Sequence, residues 1–228
     1  MNSKVIAITG GFGILGEAVC RAAKESGWTV VAIDRADAPR ESFPDGVDAR
    51  GGGDLTEAGA AADLFNAIVK QHGRLDALLN IAGGFRWETL EDGSMESWDF
   101  LYTINVKTAA TASKMALPYL KAAPAGRIVN VGAAGALKAG MGMGAYTASK
   151  SGVMRLTEAL AEELKSTNVT VNAVLPSIID TPQNRADMPD ADPGDWVAPE
   201  DLASVMLFLA SDAARAVTGA LVPVTGKV

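Results

Sequence analysis

The run Val5-Ile6-Ala7-Ile8-Thr9-Gly10-Gly11-Phe12-Gly13-Ile14-Leu15-Gly16 decides the fold. Its first four residues are β-branched or small and end at glycines, which predicts a buried strand over 5–8. Residues 17–26 then carry Ala18, Val19, Ala22 and Ala23 at helical spacing, and Gly27 follows as a C-terminal cap. Thr29-Val30-Val31-Ala32-Ile33 reads as a second buried strand, ending at Asp34. Strand, glycine turn, helix and strand within about thirty residues make a βαβ unit. In such a unit the turn lets backbone approach a pyrophosphate that rests on the helix N-terminus. The glycines Gly10, Gly13 and Gly16, with an acid after the next strand, therefore point to a dinucleotide. Asp34 can accept hydrogen bonds from the adenosine ribose hydroxyls, and its charge would repel a 2′-phosphate. NAD(H) is the preferred cofactor on this reading. Arg35 could receive that phosphate, which keeps NADP(H) as the second choice.

Working outward, the alternation continues. Helices are expected over 57–72, 146–165 and 199–210, and strands over 75–81, 127–131, 169–175 and 221–224. Residues 95–122 read as one or two helices, with Pro118 marking a kink or an end. Continuous apolar strands alternating with helices imply a parallel sheet covered on both faces. The fold class is thus α/β, a single doubly wound Rossmann-type domain spanning 1–228. Only 181–197, rich in Pro, Asp and Asn, lacks periodicity, and a loop of that length reads as a substrate lid.

Composition narrows the function. The 228 residues carry a net charge of −7, one Cys and one His. An acidic surface repels phosphate backbones and anionic lipid, so neither nucleic acid nor a membrane is an expected partner. One cysteine cannot form an internal disulfide, and Cys20 with His72 is too small a set for the usual zinc sites. No metal is expected. No spanning segment or signal peptide is read, so the expected location is the cytoplasm. Cys20 reads as a small packed residue and His72 as a solvated residue at a helix end.

Tyr146-Thr147-Ala148-Ser149-Lys150 is the second constellation. Four apart on a helix, Tyr146 and Lys150 share a face. A tyrosine ordinarily titrates near 10. A neighbouring ammonium, with a positive nicotinamide ring, is expected to lower that value and let the phenol exchange a proton with substrate.

Together these residues resemble the short-chain dehydrogenase/reductase family over essentially the whole chain. The shared motifs are Thr9-Gly10 with the glycine turn, Asp54-Leu55, Asn80-Ile81-Ala82-Gly83, Asn105, Tyr146-x-x-x-Lys150, and Pro176 with Thr181-Pro182. The resemblance implies hydride transfer between nicotinamide and a small carbonyl, hydroxyl or conjugated imine substrate. Tyr146, Lys150 and Asn105 would be the catalytic residues, Asn105 through a water that relays protons to Lys150. Cofactor contacts are implied at Gly10, Gly13, Ile14, Leu15 and Gly16, and at Asp34 and Arg35. They continue through Asp54 and Leu55 at the adenine, and Asn80, Ala82 and Gly83 at the second turn. Tyr146 and Lys150 meet the nicotinamide ribose, and Pro176, Ile179 and Thr181 lie at the carboxamide end. Members of the family are usually homodimers or homotetramers.

Two departures stand out. Position 14 is Ile where the commoner glycine pattern has Gly, and the serine expected thirteen residues before the Tyr falls on Ala133. That serine normally donates a hydrogen bond to the substrate oxygen, a donor worth about 10²–10³ in rate. The glycine turn and the segment from Ala173 to Trp196 also resemble the dihydropteridine reductase branch, which lacks the serine too. Ala133, Phe85, Trp87, Met188 and Trp196 are the candidate substrate residues, with Arg86 and Asn184 as donors that could replace the hydroxyl. A quinonoid dihydropterin is the alternative substrate. A non-catalytic NAD-binding sensor or structural protein is the alternative from another class.

Overall fold

The computed structural model describes residues 3–228. Seven strands form one parallel sheet: β1 (Val5–Thr9), β2 (Thr29–Ile33), β3 (Asp48–Arg50), β4 (Ala77–Asn80), β5 (Gly126–Val131), β6 (Val169–Pro176) and β7 (Leu221–Val224). Their order in the sheet is β3-β2-β1-β4-β5-β6-β7. The chain builds outward from β1 in one direction and then, from β4, in the other. The crevice at the carboxyl ends of β1 and β4 is the switch point where such sheets bind ligands.

Alternation along β1 explains the two layers. Ile6 and Ile8 face α1 (Ile14–Glu25) and α7 (Pro199–Ala210), packing with Val19, Cys20, Leu202 and Met206. Val5 and Ala7 face the opposite layer with Phe65 and Ile68 of α2 (Ala58–His72) and Ala112 and Leu120 of α4 (Thr108–Ala122). With both faces covered, β1 is apolar at nearly every position, as a parallel strand requires. Cys20 is fully buried, and its thiol is pushed up to about 12 by burial with help from Glu17.

Four expectations need correction. Helix α1 starts at Ile14, three residues before the expected Glu17, because the glycine turn is tight enough for Gly13 to serve as its N-cap. His72 is not solvated: its Nε2 lies 2.8 Å from Asp48 Oδ2 and ties α2 to β3, a three-residue strand too short and polar to read in advance. Pro118 neither ends nor divides its helix. The break in 95–122 comes earlier, where α3 (Met95–Leu101) passes into a π-helical turn over Tyr102–Lys107 before α4. The segment 181–197 also carries structure, with α6 (Pro182–Asp187) and a 3₁₀ turn over Pro193–Asp195. Among the described residues no helix is long and apolar enough to cross a membrane, and no cluster of ligands could hold a metal ion.

The two βα turns at the switch point are locked together. Thr9 Oγ1 accepts hydrogen bonds from the amides of Ile81 (3.1 Å) and Ala82 (3.2 Å). Gly10 has φ +67, and a Cβ there would lie 2.7 Å from the Ala82 nitrogen. At Gly16 a Cβ would meet the Gly10 carbonyl oxygen at 2.1 Å, so α1 rests directly on the turn. Gly59 of α2, in contrast, has nothing within 4 Å of its Cβ position. Gly16→Ala should therefore destabilise the fold by about 1–3 kcal/mol through overpacking. Gly59→Ala should stabilise it by up to about 1 kcal/mol through helix propensity. Thermal unfolding of the two variants, with midpoints moving in opposite directions, checks this.

Candidate active site

The glycine turn opens onto a cleft of about 120 Å³, lined by Gly10, Asp34, Arg35, Asp54, Leu55 and Ala82 together with Phe100, Thr103 and Ile104. Most of the cofactor positions expected on the adenosine side are thus brought together. Gly13 is exposed at the head of α1, while Leu15 and Gly16 are buried beneath the turn and Ile14 is half-buried. Asp34 Oδ2 accepts from the Phe12 amide (3.0 Å) and Oδ1 from the Ala36 amide (3.1 Å). A carboxylate has about four lone-pair sites, so two remain for ribose hydroxyls. Asp54 is held below the usual carboxylate range by the Thr56 hydroxyl and amide, with Arg35 and Lys107 adding attraction. Arg40, the next arginine after Arg35, is engaged by Glu17 at 2.8 Å. An exposed helix N-terminus beside a cleft that ends in a half-satisfied carboxylate fits a dinucleotide.

The second turn serves the site through its backbone. Asn80 itself faces the interior: its Nδ2 donates to Ser113 Oγ (3.0 Å) and Asn130 Oδ1 (2.8 Å), and its Oδ1 is buried without a partner. Asn130 in turn donates to Thr157 Oγ1 at 2.8 Å. The expected contact from Asn80 to the cofactor is therefore indirect. Its side chain ties β4 and β5 to α4 and, through Asn130, to α5 (Gly144–Glu163), while Ala82 is half-buried and Gly83 exposed in the turn.

Helix α5 carries Tyr146 and Lys150. Lys150 is 6% exposed, and its Nζ donates to the Val131 carbonyl at 2.8 Å. A Cβ on Gly83 would meet that nitrogen at 3.3 Å and Asn105 Oδ1 at 2.5 Å, so only glycine fits against the pair. Asn105 sits in the π-helical turn, a distortion frequent at functional sites. Its Oδ1 accepts from the Gly84 amide (2.9 Å), and its Nδ2 donates to Gly84 O (3.1 Å) and Ser149 Oγ (2.9 Å). The side chain is thus used in joining the second turn to α5, one residue before Lys150.

Burial draws Lys150 down to about 8 and pushes Tyr146 up to about 12. The expected lowering of the tyrosine does not occur in the chain alone. Desolvation of the phenolate dominates, and the ammonium is directed at Val131 rather than placed against the phenol. Tyr146 is therefore a neutral phenol at neutral pH, the form that donates a proton.

Ala133 lies just past β5, 4% exposed and extended (φ −159, ψ 140). Both expected replacements for the missing hydroxyl already have one partner. Arg86 Nη1 donates to Ser97 Oγ (2.9 Å) with its guanidinium 4.1 Å from the Phe100 ring, and Asn184 Nδ2 donates to Ile179 O (2.7 Å). Phe85 stands edge-on to Tyr146 with ring centroids 4.8 Å apart, and Trp87 lies on Gly142. Pro176 is buried at the end of β6, and Ile179 pairs with Val197. Thr181 caps α6 by accepting from the Asn184 amide (3.1 Å), which leaves its hydroxyl hydrogen free to donate. Met188 is half-buried at the end of α6. Trp196 is buried in the ordered root of the segment, where Asp195 O accepts from the Lys227 amide.

A family model described as short chain dehydrogenase matches residues 4–192. The chain is 31% identical to a 3-oxoacyl-[acyl-carrier-protein] reductase of Thermotoga maritima, covering 99% of this chain and 98% of the relative. It is 32% identical to a 2-dehydro-3-deoxy-D-gluconate 5-dehydrogenase of Dickeya dadantii, covering 99% and 95%. Among solved structures, a 3-ketoacyl-(acyl-carrier-protein) reductase from Brucella melitensis complexed with NADH superimposes with a TM-score of 0.86 at 26% identity, covering 99% and 98%. With the interlocked glycine turns, the Tyr146–Lys150 helix and Asn105 in its π-helical turn, these matches place the chain in the short-chain dehydrogenase family.

Proposed function

We propose that the protein is an NAD(H)-preferring oxidoreductase that interconverts a small carbonyl compound and its alcohol. The observation that carries this reading is the buried Lys150 ammonium, one helical turn from Tyr146 and packed against Gly83, in the same turn as Ala82, which lines the adenosine-side cleft. Gly13 and the first turn of α1 would hold the pyrophosphate, Asp34 the adenosine ribose, and Lys150 the nicotinamide ribose. Bound there, the dinucleotide supplies hydride or takes it up. Tyr146 donates its hydroxyl proton to the substrate oxygen in the reducing direction and recovers one from solvent. Lys150 stabilises the phenolate that forms, and Asn105 holds the second turn and α5 in register. The names of the relatives, enzymes of keto and hydroxy compounds, favour a carbonyl over a pterin. The intact Tyr146–Lys150–Asn105 set argues against a non-catalytic sensor.

Three outcomes test the reading. Tyr146→Phe should lower kcat by about 10²–10⁴-fold while leaving the dissociation constant of NADH little changed, because the phenol acts on substrate. In the wild-type enzyme kcat/KM for reduction should be level below pH 8. It should then fall about tenfold per unit above it, as Lys150, drawn down to about 8, loses the charge that supports the phenolate. A profile that stays level to pH 10 would remove Lys150 from that role.

NADH should bind more tightly than NADPH. Asp34→Asn should shrink the ratio of the two dissociation constants by about tenfold, since it removes one charge within a few ångströms of the 2′-phosphate. Equal affinities in the wild type would show that Arg35 governs the choice. Ala133→Ser should raise simple-ketone reduction by up to about 10²–10³-fold, the usual worth of one donor at a developing oxyanion. No gain would mean that the donor comes from elsewhere in the site.

A further inference from the structure

The segment before α3 sorts its side chains by chemistry. Phe85 and Trp87 reach residues 142–146, while Arg86 between them turns to Ser97 and Phe100 on α3. The one charge of the triplet is thus directed to α3, while Phe85 packs on Tyr146 and Trp87 on Gly142. Phe85 and Trp87 are each 54% exposed, far more than large aromatics ordinarily are in a structure of this size. The Trp87 seat is built for an indole. Gly142 has φ +74, and a Cβ there would fall 2.1 Å from Trp87 Cε2, so any side chain would expel the ring. Glu88 N donates to Gly142 O at 2.8 Å and pins the two loops together beside it. Ala133 has a methyl group where a hydroxyl is expected, and Met141, next to Gly142, is an exposed apolar side chain.

Resting on the proposed function, we infer that the substrate is an uncharged ketone or alcohol whose reacting carbon bears a flat apolar ring. The ring packs between Phe85 and Trp87. Exposed aromatic faces favour a second ring, offset or edge-on, over a flexible chain. A wall without a directed cation gives nothing to the carboxylate of a keto acid or the phosphates of an acyl thioester. The substrate class therefore differs from those named for the acyl-carrier-protein and gluconate relatives.

The test compares acetophenone, 2-octanone, acetoacetate and acetoacetyl-CoA as substrates with NADH. Acetophenone should show a kcat/KM at least about tenfold above each of the others, the effect of burying one ring face. Trp87→Ala should lower that value by about tenfold, mainly through KM, and Trp87→Phe should restore most of it. Higher activity on 2-octanone or on either charged substrate overturns the inference and leaves the proposed function standing. If no carbonyl compound is reduced, saturation-transfer NMR of 1-phenylethanol with the NAD⁺-saturated enzyme decides. Binding that Trp87→Ala abolishes keeps the ring site and overturns the proposed reaction, and absence of binding overturns the ring site. Light scattering supplies the last outcome: dissociation of an oligomer by Trp87→Ala would mean that the rings face a second copy of the chain, and would overturn the inference.

Discussion

A lysine ammonium buried beneath the sheet edge is the constraint on which the rest of the site depends. Taking such an ion out of water costs on the order of several kcal/mol unless polar partners replace the lost hydration. In this chain the partner is a backbone carbonyl, Val131 O, at the end of β5. A carbonyl is available there because the strand ends and its ladder stops. The lysine can reach it only if α5 crosses at that level, and nothing larger than a hydrogen fits on Gly83 opposite. One buried charge thus sets the end of a strand, the path of a helix and the identity of a residue in a neighbouring turn.

The height of α5 is fixed from below by a second polar device. Ser113, Asn80, Asn130 and Thr157 form a chain of buried hydrogen bonds that runs from α4 through β4 and β5 to α5. Buried polar groups demand partners of definite geometry, which apolar contacts do not. A slip of α5 by one turn would take from Asn130 Nδ2 its acceptor, Thr157 Oγ1, and Lys150 would miss Val131. Asn105 closes the arrangement from above through Gly84 and Ser149. The π-helical turn is what brings it there, since the extra residue re-aims a side chain that a regular helix would point elsewhere.

The features legible in the sequence were those with strong local causes. The apolar strands, the glycine turn and the Tyr146–Lys150 spacing each follow from period, backbone freedom or helix geometry, and the fold class came with them. The misreadings share a different character. Strand β3 is three residues of Asp, Ala and Arg whose extended form is imposed by pairing with β2. His72 is tied down by that same strand, so missing one meant missing the other. The π-helical turn leaves no mark in hydrophobic spacing, and Asn80 reads as a turn residue until Ser113 and Asn130 are placed around it. For Tyr146, spacing along a helix says which groups share a face, not where an ammonium points or how much water reaches a phenol, so the upward shift in the chain alone is not legible in the sequence.

These constraints meet at Ala133. A hydroxyl at that position would be a buried polar group, useful only when a substrate oxygen accepts from it. Around it the chain has placed Phe85 edge-on to Tyr146 and has turned Arg86 away toward α3. Arg86 and Asn184 each give one N–H to another partner, Ser97 and the Ile179 carbonyl. On the proposed function Tyr146 is the proton donor, its phenol held neutral by burial and Lys150 one turn away on the same helix. A site arranged in this way gains little from binding a bare carbonyl strongly. On the inferred substrate class, affinity comes from apolar contact, and rate from holding the reacting carbon where a single proton donor suffices. A rigid ring on that carbon serves both ends, since it fills the aromatic wall and restricts the orientations in which the oxygen can meet Tyr146.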